Sequence, residues 1–287
     1  MLGLLADLKI SARTVHETTA KIGIELQQQR DEQADAFLNR PITTPATKAE
    51  PPVPIACVEV DGGRMQTRMP RCGRGVHEPH WRENKNAGFF RMINDRFDED
   101  PQPELPSCFS SRKQLSSLLS GLDEQADTEA TSSQKPDLSW RPESVFRTCL
   151  SSLCKSDRFG ELMSAEADRR GFYAADRRAF LGDGLPYNWK IRDQHFRSFT
   201  PILDFIHPIE RLHETSRALW SDDEQAWQSC LKWINLCWHG DVKEVIGLLK
   251  AEQLEVGEPD EDTPEKDLSR VLAETIGYLS NNVSRMD

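Results

Sequence analysis

Val58-Glu59-Val60-Asp61-Gly62-Gly63-Arg64 is the stretch on which the reading of this chain turns. An apolar run that ends in Asp-Gly is the pattern of a buried strand delivering a carboxylate to a sheet edge. Phe180-Leu181-Gly182-Asp183-Gly184 repeats that pattern, and the short motif Asp204-Phe205-Ile206-His207 follows it. Taken by itself, Asp61 reads as a turn residue before it reads as a ligand. Brought together, Asp61 and Asp183 could hold a divalent metal for phosphodiester chemistry. The expected ion is Mg²⁺ or Mn²⁺, because carboxylate oxygens are hard ligands.

Outward from Asp61, strand signals cover Ile55–Val60, Arg64–Arg68 and Ala87–Met92, and Gly62-Gly63 predicts a tight hairpin between the first two. Residues 98–107 and 121–142 are rich in Pro, Ser, Thr and acid and read as loops, the second as a mobile one. Leu115, Leu118, Leu119 and Leu122 predict a short helix between them. Helical periodicity returns over 143–171 with Val145, Phe146, Cys149, Leu150, Leu153, Phe159, Leu162 and Met163, which places Cys149 and Cys154 on or near an apolar helix face. Ala179–Leu181 is a short strand ending at Asp183, Ile191–Phe196 a short helix or turn, and Thr200–Phe205 the next strand.

From Pro208 onward the pattern is helical. Its apolar stripes run through Ile209, Leu212 and Leu219, then Trp227, Leu231, Ile234 and Trp238, then Val242, Val245, Ile246 and Leu249, with a last helix around Leu268–Leu279. Helical spacing puts Trp227 and Trp238 in a core and leaves Trp233 off the stripe, available to stack on bases.

On the N-terminal side, residues 38–54 hold five prolines and read as an extended linker. Residues 2–34 read as helical, with Ser11 capping a helix through Val15, Thr19, Ile22, Ile24 and Leu26. A shorter helix before Lys9-Ile10-Ser11 makes a helix-turn-helix remnant conceivable, against the plainer reading of a packing unit. The layout is thus a helical segment at 1–37, a linker at 38–54, a core at 55–207 and a helical block at 208–287.

Composition limits the partners. The 287 residues carry a net charge of −11, which argues against non-specific coating of DNA by the whole chain. Arg64, Arg68, Arg71 and Arg74 form a local basic patch that suits DNA contact and a solvated loop equally. No apolar stretch is long enough to span a membrane. Met1–Lys9 lacks a basic n-region and is broken by Asp7, unlike a signal peptide. Seven irregularly spaced cysteines then suggest reduced thiols in the cytoplasm. Cys72, His77 and His80 have zinc-ligand chemistry, but no second ligand pair of standard spacing follows, so a plain loop is the better reading.

A mixed sheet that gathers carboxylates at strand ends, with a helical block placed late, fits the ribonuclease-H-like α/β fold. The segments around Asp61, His80-Trp81-Arg82-Glu83-Asn84-Lys85-Asn86, the Asp183 segment and Leu203-Asp204-Phe205-Ile206-His207 resemble bacterial insertion-sequence transposases of the ISKra type, within the Mutator-like DDE group. The resemblance runs from about Ser11 to Asp287. It implies that Asp61 and Asp183 are the first two acids of a DDE triad. Asp204 and His207 would be the supporting Asp-x-x-His motif, and Arg64, Arg68, Lys85 and Trp233 would contact DNA. It further implies that 208–287 is the insertion ahead of the third acid, and that this acid is missing by Asp287. The expected activity is therefore metal-dependent DNA cleavage and strand transfer by a shortened, catalytically impaired copy, and the partners expected from the resemblance are transposon ends, target DNA and further copies of the chain in a homo-oligomer. The alternatives are a non-catalytic DNA-binding or regulatory remnant, and a stand-alone nuclease using Glu274 as its late acid.

Overall fold

A computed structural model describes residues 11–41, 43–67, 80–123 and 142–286. Arg68, Arg71, Arg74, Cys72, His77, the segment ahead of Ser11 and most of the 121–142 loop lie outside the described residues. The chain enters through helix α1 (Ala12–Leu38) and then runs into β1 (Ile55–Thr67) and β2 (His80–Ile93). Helices α2 (Ser107–Ser110) and α3 (Arg112–Asp123) precede β3 (Glu143–Ser152), α4 (Ser156–Arg169), β4 (Arg177–Gly182), α5 (Pro186–His195) and β5 (Thr200–Leu203). Four helices close the described chain: α6 (Ile206–Leu219), α7 (Asp223–Trp238), α8 (Val242–Val256) and α9 (Leu268–Asn282).

The five strands form one mixed sheet in the order β3-β2-β1-β4-β5. β2 is antiparallel to both β1 and β3, whereas β1, β4 and β5 run parallel. Side chains alternate across the sheet because the strand period is two. Val58 pairs with Phe89 on one side and Phe180 on the other, and all three are fully buried. Phe159, Leu162 and Met163 of α4 and Trp189 and Ile191 of α5 cover this row. A second core, centred on Ile209, Leu212, Ile234, Leu249, Leu272 and Leu279, belongs to the helical block. No strand interrupts α6–α9.

Four local expectations need correction. The Gly62-Gly63 pair does not turn: β1 continues through it, pairing Gly62 with Lys85 and Gly63 with Asn84. The ladder to β2 overrides turn chemistry, and a Cβ at Gly62 would lie 2.7 Å from the Tyr187 hydroxyl. Residues 143–152, expected as helix, are the edge strand β3. Val145 and Phe146 are both exposed, so burial imposed neither period on this segment, and its β-branched and aromatic residues pair with β2 instead. Cys149 consequently sits exposed on a strand rather than on an apolar helix face, and Cys154 lies half-buried just ahead of α4. Finally, α3 falls inside the expected core segment 55–207, yet Leu115 is buried in the core of the helical block.

α1 is held only at its C-terminal end, where Ala34 is buried and Asp35 pairs with Arg158 of α4 at 2.8 Å. Ser11 caps it as expected, accepting from the Thr14 amide at 3.1 Å. The following linker is tied down by Asp168, which accepts from Arg40 Nη1 at 2.6 Å, Arg40 Nη2 at 2.9 Å and Thr47 Oγ1 at 2.7 Å.

Candidate active site

The parallel strands create a row. Val60 of β1 pairs with Gly182 of β4, and Gly182 pairs with Leu203 of β5. The next residue on each strand is an aspartate: Asp61, Asp183 and Asp204. The Asp204 amide donates to the Gly182 carbonyl at 3.0 Å, which extends the ladder as far as the aspartates. Asp61 and Asp183 therefore stand side by side just past the last paired residues of β1 and β4; β4 ends there as the strand-plus-Asp pattern predicts, whereas β1 runs on through Asp61, which pairs with Asn86, to Thr67. Sequence reading treated Asp204 as a motif partner; the register makes it the third member of the same row. The signal was present in Ile202-Leu203-Asp204, which repeats the apolar-run-then-acid pattern.

The three carboxylates have different surroundings. Asp183 is the most constrained, with Oδ1 accepting from the Leu185 amide at 2.9 Å and from Asn188 Nδ2 at 2.7 Å. Asn188 is fully buried, so it holds that carboxylate from inside the fold. The backbone of the same turn is gripped from the helical block, where the Tyr278 hydroxyl donates to the Asp183 carbonyl at 2.9 Å. Gly184 has φ of 93°, and a Cβ there would lie 2.7 Å from the Tyr278 ring, so both conformation and space require glycine. Asp61 is exposed and accepts through Oδ1 from the Gly62 amide at 2.7 Å. Asp204 accepts from the Ile206 amide at 3.1 Å, a turn that starts α6.

Charge accumulates at this edge. Desolvation raises the Asp61 carboxyl above the usual carboxylate range; the Gly62 amide and His207 oppose the rise, and Asp183 and Asp204 add to it. Glu59, half-buried two residues earlier on the same face, is likewise raised, first by burial and then by Asp204 and Asp61. Gly88 stands opposite Glu59 in the ladder, and a Cβ there would come within 3.5 Å of the Glu59 carboxylate. Sequence reading passed over Glu59, although the alternation of Val58-Glu59-Val60-Asp61 places it on the face of Asp61.

His207 follows Asp204 by one helical turn, with Nε2 at 4.0 Å from Asp204 Oδ2 and Nδ1 at 4.0 Å from Glu210 Oε2. At 4.0 Å neither contact is a hydrogen bond. Beside Asp183 lies a groove of about 1010 Å³, bordered by His207, Glu210, Arg211, Tyr278 and Arg285. Its arginines lie on aromatic rings, Arg211 over Tyr278 at 4.5 Å and Arg285 over Trp189 at 4.3 Å.

Of the four residues expected at DNA, two are placed otherwise. Lys85 is only 5% exposed, paired with Glu83 and lying 5.5 Å from the Tyr187 ring centre. It pairs with Gly62, on the face of the ladder opposite Asp61 and Glu59, and is not a free surface cation. Trp233 is 3% exposed and packs on Trp220 at 5.5 Å, because α7 is enclosed on more than one side and its buried arc is wider than one stripe. Trp227 and Trp238 are half-buried. Arg64 is exposed on β1 as expected, opposite Glu83, and Arg68 lies outside the described residues. Glu274 is exposed on α9, one turn before Tyr278.

Carboxylate oxygens suit Mg²⁺ or Mn²⁺ in kind. Among the described residues, however, no group of three or more His, Cys, Asp and Glu side chains is arranged to hold an ion. The described cysteines are free thiols; Cys57, on the same face of β1 as Glu59, is pushed up to about 12, first by burial and then by Glu59. No described helix is long and apolar enough to cross a membrane. No family model matches the chain, and neither a curated protein nor a solved structure matches it.

Proposed function

We propose that this chain is a DNA-processing protein of the DDE transposase type, built on a ribonuclease-H-like sheet and impaired in catalysis. One observation supports the reading above the others. Asp61 and Asp183 each stand one residue past the paired positions Val60 and Gly182 on adjacent parallel strands. Two acids side by side where the parallel pairing of two strands ends are the start of a site for phosphodiester chemistry. In this reading Asp61 and Asp183 dock a hydrated Mg²⁺ or Mn²⁺, and Asn188 and Tyr278 keep the Asp183 turn in place. Asp204 and His207 add charge balance at the same edge. Arg64 and Arg68 contribute to contact with transposon ends and target DNA. The protein works in the cytoplasm with reduced thiols.

Positioning reactants for in-line attack demands more fixed ligands than two. Weak metal binding with little cleavage or strand transfer is the expected behaviour. The test is titration with Mn²⁺, together with cleavage and strand-transfer assays on duplex DNA. Binding should be lost in Asp61→Ala and in Asp183→Ala. Metal binding unaffected by either substitution would overturn the site, and robust cleavage abolished by Glu274→Ala would move the late acid into α9.

The incomplete ligand set also favours a second reading, a non-catalytic DNA-binding or regulatory protein on the same scaffold. Salt-dependent DNA affinity that survives Asp61→Ala, with no cleavage under any metal, selects it.

A further inference from the structure

α1 is 27 residues long, about 40 Å, and residues 11–29 are exposed without exception. The exposed part is a poor helix former by itself: Thr14, Val15, Thr18, Thr19, Ile22 and Ile24 are β-branched, and Gly23 sits among them. Isolated helices of this length are marginal in water even with good formers. No described residue of the chain covers this part, yet it displays Val15 at 49%, Ile22 at 49% and Leu26 at 59% exposure.

Those apolar positions are ordered. Val15, Thr19, Ile22 and Leu26 recur at spacings of four, three and four. That is the spacing of the seam of a two-stranded coiled coil, with Thr19 as a polar position within it. The side of α1 that faces α4, where Arg30, Ala34 and Phe37 lie, adjoins this stripe toward the C-terminal end of the helix. Ile24 lies off both. Flanking charge selects the partner. Glu25 and Arg30 border the seam on opposite sides, five residues apart, the separation at which residues of two parallel copies face each other. Arg30 also donates to its neighbour Asp31 at 2.7 Å.

We infer that the seam Val15–Thr19–Ile22–Leu26 of α1 pairs with the same seam of a second copy of this chain, as a parallel coiled coil with Glu25 of each copy facing Arg30 of the other. The stripe is self-complementary, so a second copy fits it without any further surface, and the tie of α1 to α4 leaves each domain on its own side of the seam. This inference is independent of the catalytic reading.

Sedimentation of the full chain across a micromolar dilution series tests it. The expected result is a reversible dimer that Ile22→Asp combined with Leu26→Asp converts to a single chain, with the domain's thermal unfolding midpoint unchanged because both positions are exposed. Glu25→Arg alone and Arg30→Glu alone should each weaken self-association about tenfold, and mixing the two variants should restore pairing. A wild-type chain that sediments as one copy throughout overturns the inference, as does a dimer that survives the double substitution. Failure of the two charge variants to pair on mixing overturns the parallel arrangement. A single-chain wild type whose DNA affinity drops on the double substitution assigns the stripe to nucleic acid instead.

Discussion

Beneath the sheet, Phe89, Phe159, Phe180, Phe196 and Phe199 make one core, with Phe180 and Phe196 at 5.4 Å and Phe196 and Phe199 at 5.2 Å between ring centres. In the helical block the equivalent positions are aliphatic, Ile209, Leu212, Ile234, Leu249, Leu272 and Leu279, stitched by one buried hydroxyl pair, Thr215 with Thr275 at 2.9 Å. The two cores support the candidate site unequally. Asp61 depends on β1 and its ladder alone. Asp183 depends on both, because Asn188 holds its carboxylate from the sheet side and Tyr278 holds its carbonyl from the block. A disturbance in the helical block should therefore reach Asp183 before it reaches Asp61.

The strongest challenge to that contrast is to hollow each core in turn. Phe180→Ala should lower the unfolding free energy by about 4 kcal/mol and Leu249→Ala by about 3 kcal/mol, since aromatic truncations lose more contact and leave larger cavities. Urea denaturation followed by both fluorescence and far-UV circular dichroism checks this. One shared transition in both variants means the cores unfold together, and an early helical transition confined to Leu249→Ala would show the block to be independent.

Asp168 fixes the linker to the sheet side. Its own desolvation, the leading influence on its carboxyl, acts upward, but the hydrogen bonds from Arg40 and Thr47 outweigh it and hold the group below the usual range. A carboxyl depressed in the folded state contributes stability above its unfolded pKa and loses it as pH falls through the folded value. Asp168→Asn should thus cost about 2–3 kcal/mol at neutral pH. The gap from the wild type should close as pH drops below about 4, the range in which an unfolded aspartate takes up its proton. A gap that stays constant with pH would mean that packing, not charge, is what the substitution removes.

Tyr278→Phe isolates the bridge between the two cores. Loss of one hydrogen bond to the Asp183 carbonyl should cost about 1 kcal/mol. Amide chemical shifts should move at Gly182–Leu185 and stay fixed at Val60–Gly62. Equal changes at both aspartates would erase the distinction drawn between them. The smallest effect is expected from Ser11→Ala, about 0.5–1 kcal/mol of helix stability confined to the start of α1. Helical content should fall without any shift in the unfolding midpoint of the cores, and a shift would mean that α1 is coupled to them along its whole length.

Much of the site was legible because strand alternation and a terminal acid are local patterns. Val58-Glu59-Val60-Asp61 needed only the two-residue period, and Leu181-Gly182-Asp183 a short strand and a stop; the stop expected at Asp61 is absent because the ladder to β2 carries β1 on to Thr67. The same holds for Ser11 as a cap and for the four helices after Pro208, whose stripes repeat often enough to leave one period standing. Local pattern failed where burial did not enforce it. β3 is largely exposed, so Val145-Phe146 and Cys149-Leu150 satisfy a helical spacing as readily as a strand. It failed again at Trp233, where the number of neighbours around α7, not the sequence of α7, sets how wide an arc is buried.

The chain's own order of residues determined that Asp183 would follow a short strand, that a helical block would follow, and that the first long helix would carry an apolar stripe. Tertiary structure alone decided that β1 runs through Asp61 and Gly62-Gly63 in an unbroken ladder and that Leu115 joins a core formed by residues far later in the chain, from Ile209 to Leu279. It also decided that Asp204 stands in line with Asp61 and Asp183. Pairing register and helix docking are sums over distant contacts, and no window of neighbouring residues contains them.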